Sequence, residues 1–376
     1  MNTDEKETIL AMALTRLSYF SSADITALYR EAGSAAAVFD NAGDIGSIYP
    51  HASPRLIQSI KNSSEAIDRA KAEYEYDLRN GITPLAMHDN RYPARLRECP
   101  DAPVTLYYKG TADLNALRVV SIVGTRRCTV YGRDLIHRFI TRLRQLCPDV
   151  LITSGLAYGV DICAHREALS AGYDTVGILA HGLDTIYPNA HRADAGHMLS
   201  HGGLLTEYMT MTQPFAKNFI QRNRIIAGMA DATILVESAS HGGGLVTARI
   251  ASDYHRDVFA FPGAVGAPYS EGCNKLIRSN AAALITSADD FAKDMGWADD
   301  AKIDEARKNG IERDMFPSLS DDEKTVVDAL KKHNDLQLNM LTVQTGIAVG
   351  KLSSLLFSLE MKGIIKQYAG GTCHLM

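Results

Sequence analysis

Gly124, Thr125, Arg126 and Arg127 follow an apolar run at 119–123 and precede an amphipathic stretch that begins near Val130. A glycine at a strand's carboxyl end, leading into a helix, presents backbone N–H groups to an anion. Two adjacent arginines favour phosphate. Ser154 and Gly155 end a second apolar run. Small residues there let a ligand approach the backbone, or else serve only tight helix–strand packing. Asp161, early in the helix that follows, is read as a helix N-terminal charge rather than an acid catalyst. A Gly-rich stretch, HGGGLVTAR, contains Gly243, Gly244 and Thr247 and opens another helix. In QPFAKNFIQRNRIIAGMA, Arg222 falls among Phe219, Ile225, Ile226 and Met229 on one helix face, with Lys217, Asn223 and Arg224 nearby. A guanidinium on an apolar face needs an anionic ligand or an ion-pair partner. Glu207 and Glu237, which end neighbouring predicted strands, are the candidates for the second.

Other chemistries are poorly served. Gly124 is not followed by G-x-G-x-x-G spacing, and the second strand ends in Ser154-Gly155 without an acid for a ribose hydroxyl, which argues against a nicotinamide or flavin cofactor. His181, His191, His197 and His201 crowd the region after a third predicted strand, but their spacing lacks paired carboxylates or thiols, so no zinc site is expected. No nucleophile–base pair stands out. The expectation is several anion-shaped strand ends, no cofactor, no metal and no catalysis.

The elements that must position these residues change character along the chain. Residues 1–80 read as helices, with apolar positions three and four apart over TILAMALTRLSYF, ADITALYREAG and a long run from Pro54, and with Gly33 and Gly81 as stops. VTLYYKG after Pro103 reads as a strand. From Arg118, short β-rich runs alternate with helical stretches: VVSIVG, VLITSG, DTVGILA, GLLTE, ATILVES, DVFAFPG and AALITS. That alternation gives an α/β core with a mostly parallel sheet and helices on both faces. Residues 298–318 read as a polar linker. Residues 319–376 read as three helices and a β-hairpin with Gly370-Gly371 at its turn, a winged-helix pattern. The expected domains are therefore 1–80, 81–297 and 319–376.

Of the 376 residues, 46% are hydrophobic and 22% charged, an ordinary globular composition. The net charge of −5 speaks against wholesale capture of nucleic acid, but its distribution is uneven. Residues 1–80 hold eight basic against twelve acidic residues, residues 81–297 twenty-one against twenty, and residues 298–376 ten against twelve. An anion site must therefore be local, and it belongs in the middle. The six cysteines are scattered without C-x-x-C spacing, as for reduced thiols in a cytoplasmic protein. There is no signal-like N-terminus and no apolar run of membrane-spanning length.

The run SIVGTRR…YG, SGLA.G.D..AH, HGLD.IYP, QRNRIIAGMADA..LVES, GGGLVTA, VFAFPG and GCNKLI, over about residues 80–290, resembles the DNA-processing protein A (DprA/Smf) family. The resemblance implies an extended Rossmann-like core, flanked by an N-terminal helical SAM-like domain and a C-terminal winged helix. It implies a non-enzymatic homodimer that binds single-stranded DNA, protects it, and loads the RecA recombinase during natural transformation. Gly124, Thr125 and Arg126 match the family's phosphate loop. Lys217, Arg222, Asn223 and Arg224 match its basic segment, although Lys217 lies outside the best-matched tract. Gly243-Gly244 replaces a hydroxyl-bearing pair before Thr247. Leu276, Ile277 and Leu284 align with a region used for dimerisation.

Two departures limit the resemblance. LSYFSSADI lacks the glycines of a helix–hairpin–helix, so DNA binding is not expected from the N-terminal helices. The predicted recognition helix offers only Lys351 and Lys362, too few cations for duplex reading, so a transcription-factor role is disfavoured and a protein-interaction or regulatory role fits that domain better. The competing reading is a phosphoribohydrolase on a related core. It founders on HGGGLVTAR, where Arg249 stands in place of the glutamate that would assist glycosidic cleavage.

Overall fold

The computed structural model describes residues 3–17, 21–297, 319–333, 336–362, 364–368 and 372–375. The expected linker at 298–318 and the expected turn at Gly370-Gly371 lie outside the described residues. The chain divides into two compact units, Met1–Ala301 and Lys302–Met376.

The first unit is built on a nine-stranded sheet. Its strands are β1 (Thr83–Ala86), β2 (Thr105–Gly110), β3 (Arg118–Val123), β4 (Val150–Ser154), β5 (Thr175–Ile178), β6 (Gly202–Thr206), β7 (Ala232–Leu235), β8 (Asp257–Ala260) and β9 (Ala283–Leu284). They lie in the order β1-β2-β6-β5-β4-β3-β7-β8-β9. Strands β3 to β9 run parallel to one another, while β1 and β2 add an antiparallel ribbon at one edge, against β6. Continuous β-branched and aliphatic runs with no polar alternation dictate this arrangement, because a parallel strand is covered on both faces. β3 is buried along its whole length. Strand β1 escaped the sequence reading because it is short and contains Pro84, which only an edge strand tolerates.

The helices are α1 (Thr3–Leu14), α2 (Ser22–Ala32), α3 (Ala35–Asp40), α4 (Ile45–Ile48), α5 (Pro54–Lys61), α6 (Ser64–Arg79), α7 (Ala94–Arg97), α8 (Val130–Leu146), α9 (Val160–Ser170), α10 (Arg192–Met198), α11 (Ala216–Met229), α12 (Gly243–Asp253), α13 (Glu271–Arg278) and α14 (Ala288–Asp294). Alternate residues of β3 serve the two faces of the sheet. Val120 and Ile122 pack with Leu135, Ile136, Phe139 and Ile140 of α8 and with Phe291 of α14. Val119 and Val123 share a core with Ile225 and Ile226 of α11, Ala248 and Ala251 of α12, and the N-terminal helices through Leu10, Leu14, Leu28 and Leu56. Helix α2 is delimited as read: Ser21 and Asp24 form a capping box, and Gly33 at φ 79° closes its end. The run from Pro54 is two helices rather than one. Asn62 and Ser63 interrupt it, residues whose side chains compete with helical backbone hydrogen bonds.

From β3 the chain steps outward through β4, β5 and β6, then returns to the other side of β3 as β7 and β8. The carboxyl ends of β3 and β7 are thus the point where the connections diverge, the place where open α/β sheets form a crevice.

The second unit has three helices, α15 (Asp321–Lys332), α16 (Leu338–Thr345) and α17 (Val349–Met361). Its strands are β10 (Leu336–Gln337), β11 (Ile365–Tyr368) and β12 (Thr372–Leu375), in the order β10-β12-β11. Val326, Val327, Leu330, Leu341, Leu352, Leu356 and Leu359 form its core. This is the expected winged-helix layout. The two cations expected on the recognition helix, Lys351 of α17 and Lys362 just past its end, are neutralised within the unit: Lys351 pairs with Asp322, and Lys362 with buried Glu323 at 2.7 Å.

Candidate functional site

A cleft of about 570 Å³ opens at the diverging strand ends, lined by residues of the β3–α8 turn, α11, and the loop from β7 into α12. Gly124 makes the turn after β3. A Cβ there would stand 2.6 Å from Val160 and 2.7 Å from the Glu237 carbonyl, so the close approach of these backbones requires glycine. Gly244 meets the same turn from the other side: a Cβ on it would lie 3.1 Å from Gly124 Cα and 2.7 Å from Leu235. The amino end of α12 is thereby drawn onto the phosphate-loop candidate. Gly243, with open space around it, faces no such constraint.

The turn is held by Glu237, which the sequence alone offers as a partner for Arg222. Glu237 is buried, and its carboxylate accepts hydrogen bonds from Thr129 N at 2.8 Å and Thr129 Oγ1 at 2.7 Å. Thr125 N donates to the Glu237 carbonyl at 2.7 Å, and Val160 N donates to the Thr125 carbonyl at 3.1 Å. Both ends of the 125–129 loop are fixed, which leaves the Arg126 side chain exposed at the cleft. Its guanidinium lies 5.5 Å from the Phe219 ring centroid and has no carboxylate partner among the described residues. Tyr187 adds a second ring, 5.8 Å from Phe219 and tilted by 56°.

Arg222 is buried beneath the cleft, 5.9 Å from the same Phe219 ring. Its Nη1 donates to the Gly155 carbonyl at 2.6 Å and to the Ile178 carbonyl, at the ends of β4 and β5. A Cβ on Gly155 would collide with the guanidinium at 2.6 Å, which explains that glycine. Neither Glu207 nor Glu237 pairs with Arg222. Glu207 is engaged by Arg224 and Glu237 by Thr129, and the acid that interacts with Arg222 is Asp161. Burial pushes the Arg222 pKa down to about 10 while Asp161 supports its charge, so it stays cationic at neutral pH. Burial likewise raises the pKa of Asp161, opposed by Arg222 and by the hydrogen bond from the Ala157 amide at 3.4 Å. Asp161 is therefore the counter-charge of the cleft floor, more than a helix N-terminal charge. It is the one acidic residue that lines the cleft among the described residues.

The other predicted residues separate into two groups. Thr125, Asn223, Gly243, Gly244 and Thr247 line the cleft, although Thr247 Oγ1 donates to the Gly243 carbonyl at 3.3 Å. Arg127, Ser154, Lys217 and Arg224 do not. Arg127 is exposed. Ser154 Oγ donates to the Ile122 carbonyl at 2.6 Å and is fully buried. Arg224 is buried too, donating to Glu207 at 2.6 Å and to Ser22 Oγ at 2.9 Å, so it ties α11 to α2. Lys217 is exposed and lines a neighbouring cavity.

The histidines are structural or exposed. Buried His181 has Nδ1 2.9 Å from the Gly182 carbonyl, and its Nε2 accepts from Tyr187 N at 3.2 Å, an arrangement that places the proton on Nδ1. Burial lowers its pKa, and the neutral ring latches the loop that carries Tyr187. His191 bonds the Leu156 carbonyl at 2.9 Å, while His197 and His201 are exposed. Among the described residues no cluster could hold a metal ion, and no helix is long and apolar enough to cross a membrane. Of the expected dimerisation residues, Leu276 and Ile277 are half-buried against the core, and Leu284 is exposed on the edge strand β9.

A walled cleft with two arginines, two rings and glycine backbone suits a polyanion with stackable groups. The family model of DNA recombination-mediator protein A matches residues 83–296, and that of the DprA winged helix domain matches residues 316–371. Protein Smf of Escherichia coli is 34% identical over 297 residues, covering 76% of this chain and 75% of its own. The crystal structure of DNA processing protein A from Streptococcus pneumoniae superposes with a TM-score of 0.63 at 31% identity, over 74% of this chain and 94% of that one. DNA processing protein A of Helicobacter pylori, whose structure describes a single-stranded DNA binding mode, gives a TM-score of 0.52 at 28% identity, over 57% and 95%. With the core and the winged helix both matched, this chain belongs to the DprA family of DNA recombination mediators, in a DNA-processing role.

Proposed function

We propose that the chain binds single-stranded DNA in the cleft between β3 and β7, without reading sequence, and hands the strand to a RecA recombinase. The observation that carries the binding step is the stack of Arg126, Phe219 and Arg222 on a glycine-walled turn: two cations share one aromatic ring at 5.5 and 5.9 Å. Backbone phosphates would sit at Arg126 and the Gly124 and Gly243 amides, with bases against Phe219 and Tyr187. Arg222 acts from below, supplying positive potential while its hydrogen bonds hold the strand ends. The RecA step rests on the family's description as a recombination mediator, and natural transformation is its expected setting.

Binding alone, without catalysis, is the favoured mode. Asp161 is buried against Arg222, and Arg249 is exposed and does not line the cleft, so neither serves glycosidic cleavage. A homodimer through α13 and the open edge at β9, with Leu276, Ile277 and Leu284 in the contact, completes the proposal. Titration with labelled single strands of two unrelated sequences and with their duplex tests the binding step. Equal affinity for the two single strands and a clear preference over duplex are expected; a preference for duplex overturns it.

A further inference from the structure

Two cavities lie beyond the cleft on the side of the N-terminal helices. The first, of about 340 Å³, is lined by Arg16, Tyr208, Phe215, Lys217 and Gln221 among others. The second, of about 680 Å³, is lined by Arg16, Arg55, Gln58, Asn62 and Arg69, with Glu65 its one acid among the described residues. They share Arg16. The first also shares α11 with the cleft: Lys217 and Gln221 line the cavity, while Phe219, Arg222 and Asn223 line the cleft. The two cavities therefore adjoin at Arg16, and the first cavity and the cleft take alternate residues where α11 begins, Phe215 and Lys217 on one and Pro214 and Ala216 on the other.

Their cations are available. Arg16 and Arg55 are exposed and have no carboxylate partner among the described residues. The acid of the first cavity, Glu207, is already engaged by Arg224 at 2.6 Å. Residues 1–80 are acidic on balance, yet three of their arginines converge on one cavity. Phe215, 60% exposed at the amino end of α11, offers a ring between the cleft and Arg16. The arrangement is fixed. Buried Glu73 of α6 accepts from Thr210 N and Oγ1 at 2.5 Å each, and Arg69 donates to Thr210 at 3.1 Å while pairing with Glu73 at 2.7 Å. The helices of the second cavity are thus bonded to the 208–212 loop that borders the first.

Resting on the cleft reading, we infer that the N-terminal helices form a second station for the same DNA strand, which crosses α11 at Phe215 and Lys217 and continues over Arg16 to Arg55. A basic track punctuated by an exposed ring is how proteins follow single strands without sequence preference. The station uses arginine side chains, so it needs none of the hairpin glycines that the N-terminal segment lacks.

The test uses the full chain and oligothymidylates of two lengths, about six and about twenty nucleotides, the shorter sized to one site. The double variant R16A/R55A should bind the long oligonucleotide more weakly, with its log–log salt slope flattened by about 1.4, two phosphates at ~0.7 each. Its affinity for the short oligonucleotide should match wild type. F215A should repeat the length-selective loss without altering charge. Unchanged affinity and slope for the long oligonucleotide in a variant that melts like wild type overturns the second station, as does an equal loss for both lengths. Arg126→Ala separates this from the parent reading. If it leaves short-oligonucleotide binding intact, the cleft itself is wrong.

Discussion

Replacing Arg222 with alanine separates a structural cation from a ligand. In the folded protein its Nη1 serves the carbonyls of Gly155 and Ile178, and its charge faces Asp161. Removal strands a buried carboxylate and takes the donor from two strand-end carbonyls. An unpaired buried partner costs about 3–5 kcal/mol, part of it offset here by the Ala157 amide bond that Asp161 keeps. A loss near 3 kcal/mol is expected, a fall in Tm of roughly 6–12 °C by the behaviour of larger domains. Asp161→Asn in the Arg222→Ala background should recover part of it, with a coupling of about 1–3 kcal/mol in the double-mutant cycle. Differential scanning calorimetry of the four proteins reads the cycle, and a single-strand titration of the folded fraction accompanies it. An Arg222→Ala protein that melts with wild type yet no longer binds DNA refutes this reasoning.

Asp77 lies wholly buried without a hydrogen-bond partner for its carboxylate oxygens, and burial together with Glu73 raises its pKa to about 8. The folded state then keeps a proton that the unfolded chain releases above about pH 4, so stability falls as pH rises from about 4 to about 8. Asp77→Asn should raise Tm at pH 8 by at least about 2 °C and flatten that slope, as thermal melts across the range would record. A chain ending at Trp297 should keep its single-strand affinity within about tenfold of full length, near 1.4 kcal/mol, because Lys351 and Lys362 are already paired. A larger loss in parallel titrations would give the winged helix a binding role. Ile277→Glu should yield a folded monomer from a dimeric parent, checked by light scattering; a parent already monomeric at micromolar concentration refutes the contact.

Much of this was legible because local chemistry and tertiary position coincide. The Gly124 turn and the strand–helix alternation follow from residues adjacent in the chain, and the structure places them as read. Arg222 was legible as a problem, a charge on an apolar face, but not in its solution. Asp161 belongs to α9, far earlier in the chain, and only the parallel pairing of β3 with β4 brings it under α11. The basic segment of α11 was read as one patch, whereas helical geometry divides it. At 100° per residue, Lys217 and Arg224 lie within about 20° of each other, on the side of the helix roughly opposite Arg222. From that side Lys217, at the amino end, reaches a neighbouring cavity, and Arg224, about two turns further on, reaches Glu207. Short α3 and α4 carry too few turns to show a period. The role of Glu237 as the clamp of the phosphate-loop candidate depends on β7 lying beside β3, which no local pattern announces.

The most direct test of the cleft is the salt dependence of single-strand binding by Arg126→Ala. Arg126 is exposed, engages no carboxylate among the described residues, and borders the cleft beside Phe219, so its removal should leave folding intact. One lost phosphate contact should flatten the log–log slope by about 0.7 and weaken binding to all base sequences alike. A slope and affinity indistinguishable from wild type, in a variant that melts at the wild-type temperature, would contradict the assignment of the cleft to single-stranded DNA.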